Sequence, residues 1–246
     1  MINKIDRLIL ELHLSPSEAA QRLAAIVHHA NMIWSAFDSE AFLSEADAVL
    51  AYEQQRQAEE EAGGGDSDCG ATAGRPGEQE QEEEDAFRPS AGNVAFGSAA
   101  DGWAFTVPDF AAQYAEKLGA KPAALAQAMW GDYAFLPKEK RVVKLKRQGG
   151  SGGGGQKTMF EQFALEPLWK AYGACGAAGG AEAAALLAPI VKGRGLAARV
   201  PAKALEAPDP RQALRAVLRA WLPLSEAVLS MAVAHLPSPP EAAPAR

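Results

Sequence analysis

Two short stretches carry residue types suited to reading a purine base. The chain begins Met1-Ile2-Asn3-Lys4-Ile5-Asp6, and much later runs Phe96-Gly97-Ser98-Ala99-Ala100. A carboxylate accepts two hydrogen bonds, and guanine offers two neighbouring donors, its ring N1–H and its exocyclic amine. Adenine lacks that pair, so Asp6 is the residue that would discriminate between them. By analogy with bidentate base contacts on DNA, such a fork contributes about 1–3 kcal/mol. Asn3 has an amide that can donate to guanine N7 while its oxygen ties down nearby loops. Lys4 has a methylene stem long enough to cover the ring and ribose. In the second stretch the backbone N–H of Ala99 suits guanine O6, Ser98 can steady the loop, and Ala100 completes the candidate contact set.

Asn-Lys-x-Asp alone is a weak signal, because the same residues also end a strand and begin a turn. Two stretches in this order, each expected to follow a strand and with a helix between them, make a guanine pocket at the edge of a doubly wound sheet. The intervening helix is legible. Ser15 is an N-cap, Pro16 fits the first helical position and Glu18 completes a capping box. Leu23, Ile26, Val27, Ala30 and Trp34 recur at helical spacing and are expected to form a buried stripe. His28 and His29 lie beside it with no partner at metal-ligand spacing. A second helix is expected over 44–61, capped by Ser44 with Asp47 three residues on.

From Glu53 to Asp85 the chain holds 12 acidic and 2 basic residues, a local charge of −10, whereas the remainder holds 19 acidic and 22 basic. The net charge of −7 is therefore a property of one insert, expected to be a disordered acidic loop at about 53–90. Order is expected to resume with a strand over 93–97. Thr106 then caps a helix whose Phe110, Tyr114 and Leu118 share a face, and a short helix follows at 122–130. The period next changes. Segments 131–136, 141–146 and 157–165 read as three strands, with Val143 and Leu145 on one face and Lys144 and Lys146 on the other. Gly149 to Gly155 reads as a floppy hairpin tip. Two further helices lie between 166 and 191. Asp209 and Pro210 then start a helix whose core face is Leu214, Val217, Leu218 and Trp221. Pro223 begins a last one carrying Leu224, Val228, Leu229 and Leu236. The sequence has no apolar run of about 18 residues, so no membrane-crossing helix is expected. Cys69 and Cys175 suggest a reducing compartment rather than a disulfide.

With those stretches in view, the chain resembles the elongation factor 2 superfamily. "NKIDRLILEL", "FGSAADGWAF", "WGDYAF", "MFEQFALEPLWKAY" and "WLPLSEAVLSMAVAHLPSP" look like its successive signposts, in family order over nearly the whole chain. Within the superfamily, the long acidic insert and the wording of "WLPLSEAVL" are closest to the cytoplasmic elongation-factor-like GTPases of large-subunit ribosome maturation. The resemblance implies an α/β fold: the C-terminal half of a P-loop-type GTPase domain with an inserted α+β subdomain. Residues 1–118 and 206–237 would belong to the GTPase core, 119–205 to the inserted subdomain, and 238–246 to a tail or linker. It also implies guanine contacts at Asn3, Lys4, Asp6, Ser98, Ala99 and Ala100, and GTP as the nucleotide. Large ribosomal subunits and their RNA would be partners, with release of the anti-association initiation factor carried out alongside the Shwachman–Diamond syndrome protein family. The expected location is cytoplasmic.

No "GxxxxGK[ST]" phosphate loop occurs in the chain. "GGSGGGGQKT" fails the pattern, because no glycine directly precedes Lys157. The "DxPGH" stretch that would bring a water-positioning histidine and a magnesium-linked aspartate is also absent. His13, His28, His29 and His235 match none of it, and no catalytic or metal-binding residue is assigned. The chain is accordingly expected to be a fragment of a longer protein, inactive alone, with Mg2+ bound only in the full-length form. Two alternatives stand beside this reading. One is a fragment of the translocase elongation factor 2. The other is a non-catalytic ribosome-docking module that uses Lys138, Lys140, Arg141, Lys144, Lys146 and Arg147.

Overall fold

The computed structural model describes the backbone of residues 1–62, 85–137, 139, 141–145 and 156–242, and their side chains except 41–62, 240 and 241. The chain divides into two compact units, Met1–Ala25 with Arg88–Arg246, and Ile26–Phe87. The architecture mixes helices with small sheets.

In the first unit, a short ladder of extended segments positions everything else. Strands β1 (Ala95–Ser98) and β2 (Trp103–Thr106) form an antiparallel hairpin with Ser98 opposite Trp103. Every residue of both strands is buried. Ile2 adds to the outer edge of β1 in parallel, donating to Ala95 O at 2.7 Å and accepting from Gly97 N at 3.0 Å. On the other edge, Ala104 N donates to Leu222 O at 3.1 Å and Pro223 bridges Trp103. Gly97 admits no side chain here, since an added Cβ would lie 2.4 Å from Trp103 O. The strand expected over 93–97 thus begins and ends slightly later, and Ile2 is the extended stub on its edge.

Helix α1 (Ile5–Leu10) follows that stub. Helix α2 starts at Pro16 under the expected capping box: Ser15 N and Oγ both donate to Glu18 Oε2, and Glu18 N donates to Ser15 Oγ. Beyond β2, Thr106 caps α3 (Val107–Leu118) reciprocally with Asp109, and Gly119 ends it in the left-handed region at φ 63°. The buried face of α3 is Val107, Phe110, Ala111 and Ala115. Tyr114 and Leu118, expected to share that face, are half-buried at its margin. Helix α4 (Pro122–Trp130) contributes Trp130, which packs on Phe96 and Phe160 at 5.4 and 5.1 Å between centroids.

Strands β3 (Tyr133–Leu136) and β4 (Arg141–Lys144) form where strands were expected and pair antiparallel with each other, and Val143 faces Ala134; the hairpin expected between β4 and 157–165 is not made. The third expected strand does not form. Residues 159–165 are helical, with a π-turn over Glu161–Leu165 leading into α5 (Glu166–Tyr172). Met159, Phe160, Ala164, Leu165 and Leu168 are buried, a spacing of three to five that only a helix can turn to one side. A short apolar run cannot be assigned by period alone. Helices α6 (Gly180–Gly193) and α7 (Ala202–Leu205) follow. Helix α8 (Pro210–Trp221) buries the expected Leu214, Val217, Leu218 and Trp221, and Asp209 caps it by accepting from Arg211 N. In α9 (Leu224–His235) Leu224 and Val228 are half-buried, whereas Leu229, Val233 and Leu236 are exposed. A last short turn, α10, spans Pro239–Ala242.

The second unit carries most of α2, which runs unbroken over Pro16–Ala62 instead of restarting at Ser44. Its 53–62 portion is helical, not disordered, because Gln, Arg, Ala and Glu are strong helix formers. Of the rest of the expected acidic loop, 63–84 lies outside the described residues, as does the glycine tip at 149–155, whereas 85–90 is ordered instead of disordered, with Phe87 held by Asn31 and a 3-10 turn over Pro89–Ala91. Asn31 closes this unit, donating to Phe87 O at 3.0 Å and accepting from Phe87 N at 2.7 Å. Val27 is buried, but Ile26 and Trp34 from the expected stripe are 41% and 50% exposed. Trp34 meets the edge of Phe87 instead.

Candidate functional site

The two candidate base-reading stretches meet at one end of the strand ladder. Ile2 lies parallel to β1, so Asn3 leaves the ladder beside the point where Ser98 leaves it. Asn3 Oδ1 accepts two backbone N–H groups, from Lys4 at 2.7 Å and from Ala99 at 2.9 Å. That single oxygen ties the first stretch to the second across 96 positions of sequence. Lys4 caps α1 in the left-handed region at φ 68°, a conformation that disfavours a side chain by about 1–2 kcal/mol. Its side chain, like that of Asn3, is exposed.

Asp6 lies in the first turn of α1 and is only 7% exposed. Its Oδ1 is buried without a hydrogen-bond partner. Its Oδ2 stands 3.7 Å from Arg211 Nη2. A buried acceptor left unmade costs about 1–3 kcal/mol. This orphaned oxygen lacks one N–H donor, of the kind that a purine edge such as guanine's could supply. A purine edge reaches it only after the side chain turns toward solvent.

The second stretch is a four-residue loop between paired Ser98 and Trp103. Ser98 is fully buried, and its Oγ accepts from Asp101 N at 3.2 Å within the loop. Gly102 N donates to Ser98 O at 2.8 Å. Ala99 and Ala100 are exposed at the tip. The Ala99 N–H is not idle: it is held by Asn3, so any ligand acceptor would have to compete with Asn3 Oδ1 for that donor.

Sequence reasoning missed what braces this loop. Asp101 is fully buried, and both of its carboxylate oxygens are engaged. Oδ2 accepts from Tyr172 OH at 2.7 Å. Oδ1 accepts from Arg215 Nε at 2.8 Å and Arg211 Nε at 3.3 Å. Tyr172 OH in turn accepts from Trp103 Nε1 at 2.8 Å, and Arg219 Nε donates to Asp101 O at 3.0 Å. Burial pushes the Asp101 carboxyl up, but the bonds from Arg215, Tyr172 and Arg211 together prevail and hold it below its ordinary value. Burial, then the bond to Asp101, holds the Tyr172 phenol far above its usual range. The available signal was Arg211, Arg215 and Arg219 recurring every fourth residue on α8, beside its apolar face. Nothing in the sequence said which acid they would meet.

For the docking alternative, Lys138, Lys140, Lys146 and Arg147 lie outside the described residues. Arg141 pairs with Glu139 at 2.5 Å, and Lys144 is exposed. Among the described residues no group of His, Cys, Asp and Glu could hold a metal ion, and no helix is long and apolar enough to cross a membrane.

Fold and site thus give a mixed protein of helices and small sheets, compatible with an α/β class, with a candidate base-reading corner at the ends of neighbouring extended segments. No protein-family model matches the chain. Ribosome assembly protein 1 of Schizosaccharomyces pombe is 36% identical over 241 residues, covering 97% of this chain and 20% of that protein. Human elongation factor-like GTPase 1 is 34% identical over 239 residues, with coverage of 97% and 20%. Ribosome assembly protein 1 of Saccharomyces cerevisiae is 33% identical over 242 residues, with coverage of 98% and 20%. Over nearly its whole length the chain is thus similar to one stretch of these ribosome assembly proteins and elongation-factor-like GTPases, and it spans about a fifth of the length of the curated relatives it matches.

Proposed function

We propose that this chain is the guanine-reading part of a translational-type GTPase that acts in assembly of the large ribosomal subunit. The observation that carries the reading is the junction at Asn3. One side-chain oxygen binds the amide after the first motif residue and the amide at the tip of the second, beside a buried carboxylate with an unsatisfied oxygen. In this reading Asp6 turns outward to accept from the base N1–H and amine. The Asn3 amide donates to N7, the Lys4 stem covers the ring, and the Ala99 N–H shifts from Asn3 to O6. Ser98 holds the loop and Ala100 keeps its tip small enough for a flat ring to approach.

The same reading assigns residues 1–118 and 206–237 to a partial P-loop-type core and 119–205 to an inserted subdomain. The parallel pairing of Ile2 with β1 supports it, as does the return of Leu222 and Pro223 to β2. GTP hydrolysis, with its phosphate groups and Mg2+ held elsewhere in a longer protein, is the activity this proposes for the whole. Ribosome assembly enters from the printed names of the relatives. Release of the anti-association initiation factor, with the Shwachman–Diamond syndrome protein family as partner, extends the proposal on family resemblance, as does a cytoplasmic location. Salt-sensitive co-sedimentation with large subunits tests the ribosomal part.

The decisive experiment on the site is Asp6→Asn. Exchanging one acceptor for a donor matches xanthine, which carries a carbonyl where guanine has its amine. Binding of GDP and XDP to the chain, followed by titration in NMR, is expected to reverse preference in the variant. An unchanged preference for GDP removes Asp6 from the assigned role.

A further inference from the structure

Arg211 stands between the two motifs and touches both of their carboxylates. Its Nη2 lies 3.7 Å from Asp6 Oδ2 and 3.3 Å from Asp101 Oδ1, while its Nε donates to the same Asp101 oxygen at 3.3 Å. The guanidinium is a rigid planar fork, which suits it to spanning two acids. Its backbone is also anchored. Asp209 Oδ1 accepts the Arg211 N–H at 2.9 Å, and Pro210 pre-sets the first turn of α8. The three arginines of α8 are not equivalent. Arg215 reaches Asp101 alone at 2.8 Å, and Arg219 reaches only the Asp101 backbone oxygen. If Arg211 were lost, Asp101 would keep Arg215 and Tyr172. Asp6 would keep no ion pair among the described residues.

We propose that Arg211 is a positioning residue for base discrimination: it holds the Asp6 carboxylate in register with the Asp101 loop that presents Ala99. This rests on the guanine-reading role given above for Asp6. The separation of 3.7 Å is an ion pair and not a hydrogen bond, so the carboxylate can turn toward a purine edge while staying beside the charge. The side chain of Arg211 is 39% exposed, which leaves it free to follow that turn. The consequence concerns selectivity more than affinity. Misplacing Asp6 weakens the bond to the 2-amine of guanine, which inosine lacks. Misplacing Asp101 alone weakens every purine that uses the loop.

The test is equilibrium binding of GDP, IDP and ADP to the 246-residue chain by NMR titration, with thermal unfolding to confirm that each variant folds. The unsubstituted chain is expected to favour GDP over IDP by about threefold to tenfold, the worth of one added hydrogen bond. Arg211→Gln brings GDP and IDP to near equality. Arg215→Gln weakens both by the same factor and leaves their ratio intact. Arg211→Lys keeps a charge without the fork and gives an intermediate ratio, which preserves the test if the glutamine variant unfolds. A GDP-to-IDP ratio equal to that of the unsubstituted chain in the folded Arg211 variants overturns the proposal, and so does an equal collapse in Arg215→Gln. Failure of the unsubstituted chain to prefer GDP over ADP removes the guanine reading itself and this role with it.

Discussion

The two halves of the candidate site are built to opposite specifications. The loop from Ser98 to Gly102 is over-determined. It closes on its own backbone, anchors Asp101 with donors from α5 and α8, and sits on strands buried along their whole length. The turn from Asn3 to Asp6 is under-satisfied. It holds a lysine in a left-handed backbone, leaves one carboxylate oxygen orphaned, and is joined to the loop directly by one asparagine oxygen and otherwise through Arg211. A rigid presenter beside a poised reader suits a site that recognises a flat ring edge. In the proposed site the presenter would give up only the bond from Ala99 N–H to Asn3, and the reader would gain the bonds it lacks.

Substitutions can break or sharpen that contrast. The largest effect is expected from Asp101→Asn, which leaves two half-exposed arginines and a buried phenol around a weaker acceptor. Urea denaturation is expected to show a loss of about 2–4 kcal/mol at neutral pH. The same acid sets a pH dependence. Its folded-state pKa lies below the ordinary value of 3.8, so its contribution is fully present above about pH 4. It is lost as the pH falls through the folded-state value. The acid limb of a stability curve is therefore expected to flatten in Asp101→Asn, and an unaltered limb would show that Asp101 is not the controlling group.

Next comes Gly102→Ala. The residue has φ +77°, and an added Cβ would lie 2.5 Å from Arg219 Nε. Strain together with displacement of that arginine is expected to lower stability by about 1–3 kcal/mol, read as a fall in Tm. The turn should respond in the other direction. Lys4→Gly removes the left-handed penalty and is expected to raise stability by up to about 1 kcal/mol. A loss would mean that the lysine stem packs where its exposure suggests it does not. The smallest effect is expected at Asp6→Asn, which gives up only a partly exposed ion pair at 3.7 Å and changes stability by less than about 1 kcal/mol. Near-silence in stability alongside a change in nucleotide preference would mark Asp6 as a reader and not a strut.

Local rules accounted for local features. The caps at Ser15, Thr106 and Asp209 were legible because each depends on residues within a turn of one another. The apolar face of α8 was legible because its period is unambiguous. Failures came where competing periods or distant partners decided the outcome. The run Met159-Phe160 to Leu165 carried β-type residues, and only packing of Phe160 against Phe96 and Trp130 settled it as helix. Ser44 had the chemistry of a cap, but the helix formers on both sides carried α2 straight through it.

Taken alone, the amino-acid order determined which groups this protein offers to the proposed purine contact: the Asn3-to-Asp6 turn and the small residues from Ser98 to Ala100. Hydrogen-bonding capacity belongs to residue type, so no folding was needed to state it. The tertiary structure alone decided that Asn3 would bind the Ala99 amide, that Asp6 would lie buried beside Arg211, and that α8 would bring three arginines to Asp101. Those contacts join residues at least 96 positions apart, and at such separations only the packed core chooses the partner.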